Sequence, residues 1–260
     1  MKALQIAATG MKAQEQNVEV ISNNVANMRT TGFKKQRADF QDLLYQNLRR
    51  MGTETSDAGT IVPTGVQIGS GVKLASTARI MSQGSLEQTD DSLDIAIRGE
   101  GFFQIDLPDG TTGYTRDGSF ERDADGQLGT VDGYTVNPGI SIPENIQDLT
   151  ISNDGSVQGV DNTGTTQQLG QIQLARFVNK AGLEAIGDNL FLETDASGAA
   201  ETGNPSDNGF GSLQQYFLEM SNVDAVTEIS DLIAAQRAYE MNSQIIQAAD
   251  EMYSTTTNLR

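Results

Sequence analysis

Carboxylates are the abundant reactive side chains of this sequence. Its 260 residues include 35 Asp and Glu but no histidine and no cysteine. A Ser-His-Asp or Cys-His nucleophile is therefore excluded, together with thiolate and imidazole metal sites and any disulfide framework. Carboxylate acid/base work, lysine chemistry and oxygen-held cations remain. Asp123, Asp125 and Gly126 have the acidic, turn-forming character of a calcium loop, but the twelve-residue order closed by glutamate is missing. A hairpin turn accounts for them better. Asp90, Asp91 and Asp94 form the densest acidic cluster and read as the solvated start of a strand. Gly69-Ser70-Gly71 and Gly99-Glu100-Gly101 lack the third glycine and the following helix of a dinucleotide fingerprint, and no Walker A sequence occurs. A carboxylate pair spaced for glycoside hydrolysis arises by chance among 35 acids, most of them beside turn glycines. No catalytic, metal-binding or cofactor-binding residue is expected, and no cofactor.

The elements that would position any site follow from glycine and proline. All 5 prolines and 25 of the 27 glycines fall between residues 51 and 220. Both residue types disfavour helix interiors, so the two ends can be long helices and the middle cannot. At the N-terminal end Leu4, Met11, Val18 and Val25 recur every seven residues, with Ala7, Gln14, Ile21 and Met28 as a companion set. That a/d offset is the coiled-coil template, with Gln14 as a polar intruder. At the C-terminal end Ala225, Leu232, Tyr239, Ile246 and Tyr253 repeat by seven, as do Ala238, Ile245, Met252 and Leu259. With Ile229, Ile233 and Met241 they make an apolar face wider than one partner helix needs. Asn222 is the expected N-cap, with Val223 to Ala225 as the first turn. Asn23, Asn24 and Asn27 are mediocre helix formers and mark the end of the first helix, with Gly32 as the bend and Phe33 opening the segment beyond.

Between the ends the pattern changes to period two. "LDIAIRGEGFFQI" alternates, and Asp-Gly pairs at 109–110, 117–118, 125–126, 132–133 and 154–155 separate short Tyr/Thr/Phe/Val runs. These are hairpin signals and imply an antiparallel β domain. Residues 46–70, rich in Thr, Ser, Gly and Pro, read as an extended linker or long loop. The expected fold class is α+β: terminal coiled-coil helices flanking a central antiparallel all-β domain, with an extended insertion between. The expected domains are 1–30 with 222–260, a connecting segment at 31–70, and a β-rich domain at 71–221.

Charge follows the same map. The formal net charge is −18, yet residues 1–50 carry 8 Lys+Arg against 4 Asp+Glu, while residues 221–260 carry 2 against 6. An acidic bulk argues against a nucleic-acid surface. No run approaches the roughly 20 apolar residues of a membrane span. Gln5, Thr9, Lys12 and Gln14 interrupt any leader-like apolar stretch, so export, if it occurs, is expected without a cleaved Sec-type signal. Two function classes remain on these grounds: a self-assembling structural subunit with helical ends, or an extracytoplasmic glycan-binding β module carried on a helical stalk. Terminal heptads without a core of their own favour the first.

Two stretches carry a resemblance. "SNNVANMRTTGFKKQRADFQDLLY" and "SNVDAVTEISDLIAAQRAYEMNSQII" resemble the paired signatures of the bacterial flagellar axial family, the rod and hook proteins. The length, the stretch "LLYQNLRRMGTETSDAGTIVPTGVQIGSGV", and "IRGEGFFQI" with "YTRDGSF" are most similar to members of the distal rod; a proximal-rod or short hook-type member is the alternative. The resemblance implies a subunit that polymerises into a rigid hollow helical drive shaft, passing torque to the hook and conducting exported subunits. It implies export by the flagellar type III apparatus and a place in the basal body, where the rod crosses the periplasm. The implied partners are further copies of itself, proximal rod proteins, the hook protein, and the L- and P-ring proteins, with no nucleic acid and no membrane span. Leu4, Met11, Val18, Ile21 and Val25 would be packing positions of the N-terminal helix, and Leu232, Tyr239, Ile246 and Tyr253 their C-terminal counterparts. Asn23, Asn24 and Asn27 would make polar contacts where the helix leaves the inner layer, and Gly32 and Phe33 would form the connector.

Overall fold

The computed structural model describes residues 2–49, 51 and 64–258. Helix α1 spans Lys2–Ala26 and helix α2 spans Ala225–Asn258, and strands fill the chain between them. The fold is α+β, as the glycine map requires. Neither helix is long and apolar enough to cross a membrane. The chain forms two compact units. One comprises residues 1–25, 36–78 and 224–260, and the other residues 26–35 and 79–223.

In the helical unit, α1 stops where its asparagines begin to compete with the helix for backbone groups. The Asn27 carbonyl accepts the Thr30 N–H at 3.2 Å, and its side-chain oxygen accepts the Thr30 hydroxyl at 3.2 Å. Strand Gln36–Asp42 pairs with Val72–Arg79, and Tyr45–Arg49 pairs antiparallel with Val66–Gly69. The stretch expected to be an extended linker therefore begins and ends as a two-stranded ribbon; its centre, residues 52–63, lies outside the described residues. Thr9 ties α1 to the first of these strand pairs: its hydroxyl donates to the Ile6 carbonyl at 2.7 Å and accepts the Val72 N–H at 3.3 Å.

The cap of α2 is Asp224 rather than Asn222. The Asp224 carboxylate accepts the Thr227 N–H at 2.8 Å, and its carbonyl accepts the Glu228 N–H at 3.0 Å. A carboxylate there also opposes the positive end of the helix dipole. Asn222 serves the other unit, where it accepts the Lys35 N–H at 2.7 Å and donates to the Ile80 carbonyl at 2.8 Å.

The β unit is built on a nine-stranded sheet whose pairings are antiparallel. Its main path runs Glu184–Gly187, Leu190–Leu192, Thr112–Thr115, Phe102–Asp106, Thr135–Val136, Leu128–Thr130, Phe120–Arg122. Strand Leu174–Arg176 joins the free half of Phe102–Asp106 and carries Glu201–Gly203 on its other side. Period two places Phe102 and Phe103 on opposite faces, and both faces are buried. Phe103 packs with Ile95, Ile97, Ile105, Phe120 and Leu128, meeting the Phe120 ring edge-on at 5.0 Å. Phe102 packs with Tyr114, Phe177, Leu183 and Phe191. A three-stranded sheet of Ile146–Ile151, Ser156–Asp161 and Thr166–Gln171 adds Ile151 and Val157 to the first cluster.

Four of the five Asp-Gly pairs lie in turns between paired strands: 109–110, 125–126, 132–133 and 154–155. Asp117-Gly118 does not. It links Thr112–Thr115 to Phe120–Arg122, which do not pair with each other, and a Cβ on Gly118 would overlap the Ile95 carbonyl oxygen. The Asp117 carboxylate instead accepts from the Thr31 hydroxyl at 2.8 Å, the Ser119 hydroxyl at 2.8 Å and the Asn189 amide at 3.2 Å.

Candidate functional site

Two features stand out once the β core is accounted for: the helix pair and a buried ionic clasp in the β unit. In the helix pair, Asn24 Nδ2 donates to Glu228 Oε2 at 3.0 Å, and a Cβ placed on Gly10 would stand 3.0 Å from Asn242 Nδ2. These two points lie two heptads apart on each helix and run in opposite directions, so α1 and α2 meet antiparallel in a defined register. The most buried positions are Ala7, Ala13, Ile21 and Asn24 on α1, and Glu228, Ala235 and Ala249 on α2. The seam is thus made of small and polar side chains. On α2 it follows Glu228, Ala235, Asn242 and Ala249, a seven-residue line that a search for large apolar residues passes over.

The expected packing residues divide accordingly. Ile21 is buried, and Leu4, Met11, Val18 and Val25 are partly covered. Leu232 and Ile246 are partly covered, whereas Tyr239 and Tyr253 are exposed. Val226, Ile229, Ile233, Met241, Ile245 and Met252 also lie exposed along α2, Met241 at 58% and Ile245 at 50%. Leu259 lies outside the described residues. Most large apolar side chains of α2 therefore lie exposed, while its buried positions are Glu228, Ala235 and Ala249. Soluble monomers rarely leave such a patch without using it.

The three asparagines do different work. Asn24, at 1% exposure, holds both backbone groups of Gln36: its oxygen accepts the Gln36 N–H at 2.9 Å, and its amide donates to the Gln36 carbonyl at 2.8 Å. It acts as a surrogate strand neighbour at the start of Gln36–Asp42. Asn27 holds the turn through Thr30, and Asn23 lies exposed on the helix.

Gly32 is the bend, at φ +67°, with its N–H donated to the Glu219 carbonyl at 2.8 Å. A Cβ there would lie 2.6 Å from the Asp117 nitrogen, so neither the backbone conformation nor the space admits a side chain. Gly32→Ala is expected to lower unfolding stability by at least about 1 kcal/mol, read from the urea midpoint. Phe33, partly covered, follows it.

The clasp sits beside this bend and was not visible as a site in the sequence. Glu219 Oε1 accepts from Lys34 Nζ at 2.5 Å and from the Gly84 N–H at 2.9 Å, and Oε2 accepts from Arg116 Nη1 at 3.2 Å. Lys34 also donates to the Ser82 carbonyl at 2.9 Å, and Arg116 to the Gly99 carbonyl at 2.7 Å, with its guanidinium over the Phe102 ring. All three side chains are almost wholly buried. Burial pushes the Lys34 amine below its ordinary pKa, the Glu219 carboxylate opposing it, and burial likewise lowers Arg116. The clasp joins four segments distant in sequence: the Gly32–Lys35 connector, the Ile80–Gly84 return, the stretch around Arg116 and the Glu219–Asn222 exit. Its chemistry is structural, since each carboxylate oxygen is taken up by donors of the chain. Asp94 shows the other common perturbation, a carboxyl raised chiefly by partial burial. Among the described residues no group of three or more acidic side chains is arranged to hold a metal ion.

Comparison with known proteins agrees at both ends and in the middle. Residues 4–34 match the family described as flagella basal body rod protein, and residues 96–159 match the flagellar hook protein FlgE/F/G D1 domain. Residues 214–259 match the C-terminal region of flagellar basal body rod FlgEFG proteins. The matches define a structural class of flagellar axial components, not an enzyme, and set aside the glycan-module alternative. The chain is 59% identical to the flagellar basal-body rod protein FlgG of Caulobacter vibrioides over the whole of both chains. It is 53% identical to that of Agrobacterium fabrum, covering 98% of this chain and 97% of the relative, and 49% identical to that of Borreliella burgdorferi, covering 100% and 99%. The chain belongs to the flagellar basal-body rod protein FlgG family.

Proposed function

We propose that the protein is a subunit of the distal rod, and that copies stack through α1 and α2 into a hollow, rigid helical shaft. The observation that carries this reading is the mismatch along α2: small side chains meet α1, while Ile229, Ile233, Met241 and Ile245 are left in water. Burying one such side chain contributes about 1.5–3 kcal/mol. Many repeated contacts can therefore hold a polymer whose isolated subunits stay dissolved. On this reading residues 1–30 and 222–260 form an inner coiled-coil layer, residues 31–70 a connector, and residues 71–221 the outer layer. Leu4, Met11, Val18, Ile21 and Val25, with Leu232, Tyr239, Ile246 and Tyr253, supply the inner packing. Proximal rod proteins, the hook protein and the ring proteins are the neighbours, and the type III apparatus delivers the chain.

The ribbon of Tyr45–Arg49 and Val66–Gly69 supports a rigid shaft. Two strands alone are marginal in water, and this pair exposes Tyr45, Leu48, Val66 and Ile68, with Leu44 beside it 88% exposed. A neighbouring subunit that covered the ribbon would add a second tie outside the helices.

The test is a double substitution, Met241→Gln with Ile245→Gln, in the full chain. Glutamine keeps the length and helix propensity of these side chains. The purified variant is expected to melt like the parent protein and to fail to form rods when supplied to cells lacking their own rod subunit. Normal rods from this variant would remove the proposal.

A further inference from the structure

A groove of about 400 Å³ runs along one side of the helix pair, lined by Glu15, Val18 and Glu19 of α1 and by Gln236, Tyr239 and Glu240 of α2. Its floor is apolar, formed by Val18 and the exposed ring of Tyr239, and three exposed carboxylates rim it. Like charges set around a low-dielectric floor focus a negative potential on the groove. The side chain that answers both features is a cation on an apolar stem. Arginine answers best, because its planar guanidinium lies over an aromatic ring and bonds carboxylates at the same time.

The chain itself carries such a group in its basic first fifty residues. Several cations there are engaged, Lys2 with Gln46, Lys34 in the clasp and Arg37 with Asp39, and Arg49 sits at the end of the exposed ribbon strand. Lys12 lines a separate pocket with Thr9 and Val72. Arg29 is exposed in the turn after α1, next to Met28, itself an exposed apolar side chain. Glu15 lies about 16 Å of helix rise before the end of α1, farther than an arginine side chain extends. Glu19 is nearer, at about 10 Å of rise, but the described ion pairs include none with Arg29, which leaves its guanidinium open to another copy.

We propose that this groove receives the Met28–Arg29 turn of a second copy, with Met28 on the Val18–Tyr239 floor and Arg29 between the carboxylates of α1 and α2. The inference rests on the stacking of copies proposed above and names one pair of surfaces by which they meet.

A charge exchange tests it in cells lacking their own rod subunit and supplied with the full chain. Both positions are exposed, so the variants are expected to keep the melting temperature of the parent protein. Arg29→Glu places a fourth carboxylate in the groove and is expected to lower the number of complete rods per cell by about tenfold or more. Glu240→Arg alone is expected to lower it similarly, and the double variant to recover most of the loss. Unchanged rod numbers for Arg29→Glu, or a double variant no better than the single ones, would overturn the inference. If the parent chain itself built no rods in such cells, the stacking proposal would fail first, and the two failures are distinguishable.

Discussion

Glu219→Ala is expected to lower the unfolding free energy of the protein by about 3–5 kcal/mol, the range for stripping one partner from a buried ion pair. The reason is what stays behind. Lys34 would keep only the Ser82 carbonyl and Arg116 only the carbonyls of Gly99 and Ile97, two buried cations without a counter-charge. The Gly84 N–H would lose its acceptor as well. Lys34→Met should do less harm, because Glu219 would keep Arg116 and Gly84. Urea unfolding followed by circular dichroism checks both, and equal losses for the two variants would contradict the clasp as described. The pH dependence gives a second reading. Burial, opposed by Glu219, sets the folded-state pKa of Lys34 below the ordinary 10.5. Between those two values the unfolded chain binds more protons, so stability rises with pH there, is complete above 10.5, and is lost as pH falls through the folded value. Lys34→Met should lack that rise.

Asn24→Leu is expected to cost about 3 kcal/mol. Asn24 supplies one acceptor and one donor to Gln36 and a further donor to Glu228, and leucine supplies none. The Asn27 side-chain oxygen accepts the Thr30 hydroxyl, a local bond within the turn that follows the helix. Hydrogen exchange separates a local from a global effect. The Gln36 amide should lose protection in Asn24→Leu while the amides of the Phe102–Asp106 strand keep theirs. Rod assembly should suffer in the same variant, because the start of the connector would no longer be fixed to α1. Retained protection at Gln36 would show that the leucine is accommodated and would refute the account.

Much of this architecture was legible from residue types. Glycine and proline confine the helices to the ends because their backbone preferences act locally, and four Asp-Gly turns formed where local chemistry sufficed. The exception, Asp117-Gly118, was taken over by tertiary partners: Thr31, Ser119 and Asn189 claim the carboxylate, and the Ile95 carbonyl occupies the space above the glycine. The N-cap moved from Asn222 to Asp224 for a similar reason, since Asn222 is held by Lys35 and Ile80. The clasp was hidden because Lys34, Arg116 and Glu219 are far apart in the chain and each looks like an ordinary surface charge. Heptad reading found the helices but favoured large residues for the seam. Apart from Ile21, the seam between α1 and α2 instead uses alanine, glycine, asparagine and glutamate.

That seam of small residues has a consequence for when the shaft grows. A hairpin of helices zipped by alanines holds its shape without burying its large apolar side chains, so on the proposed stacking a folded chain stays open to neighbours. Two such chains meeting in solution cover only part of that surface in each other, whereas a chain settling into a finished tip is met from several sides at once. On that proposed stacking, growth at an existing end is expected to outrun the founding of new ends. Chains supplied one at a time would then lengthen a single shaft instead of seeding many.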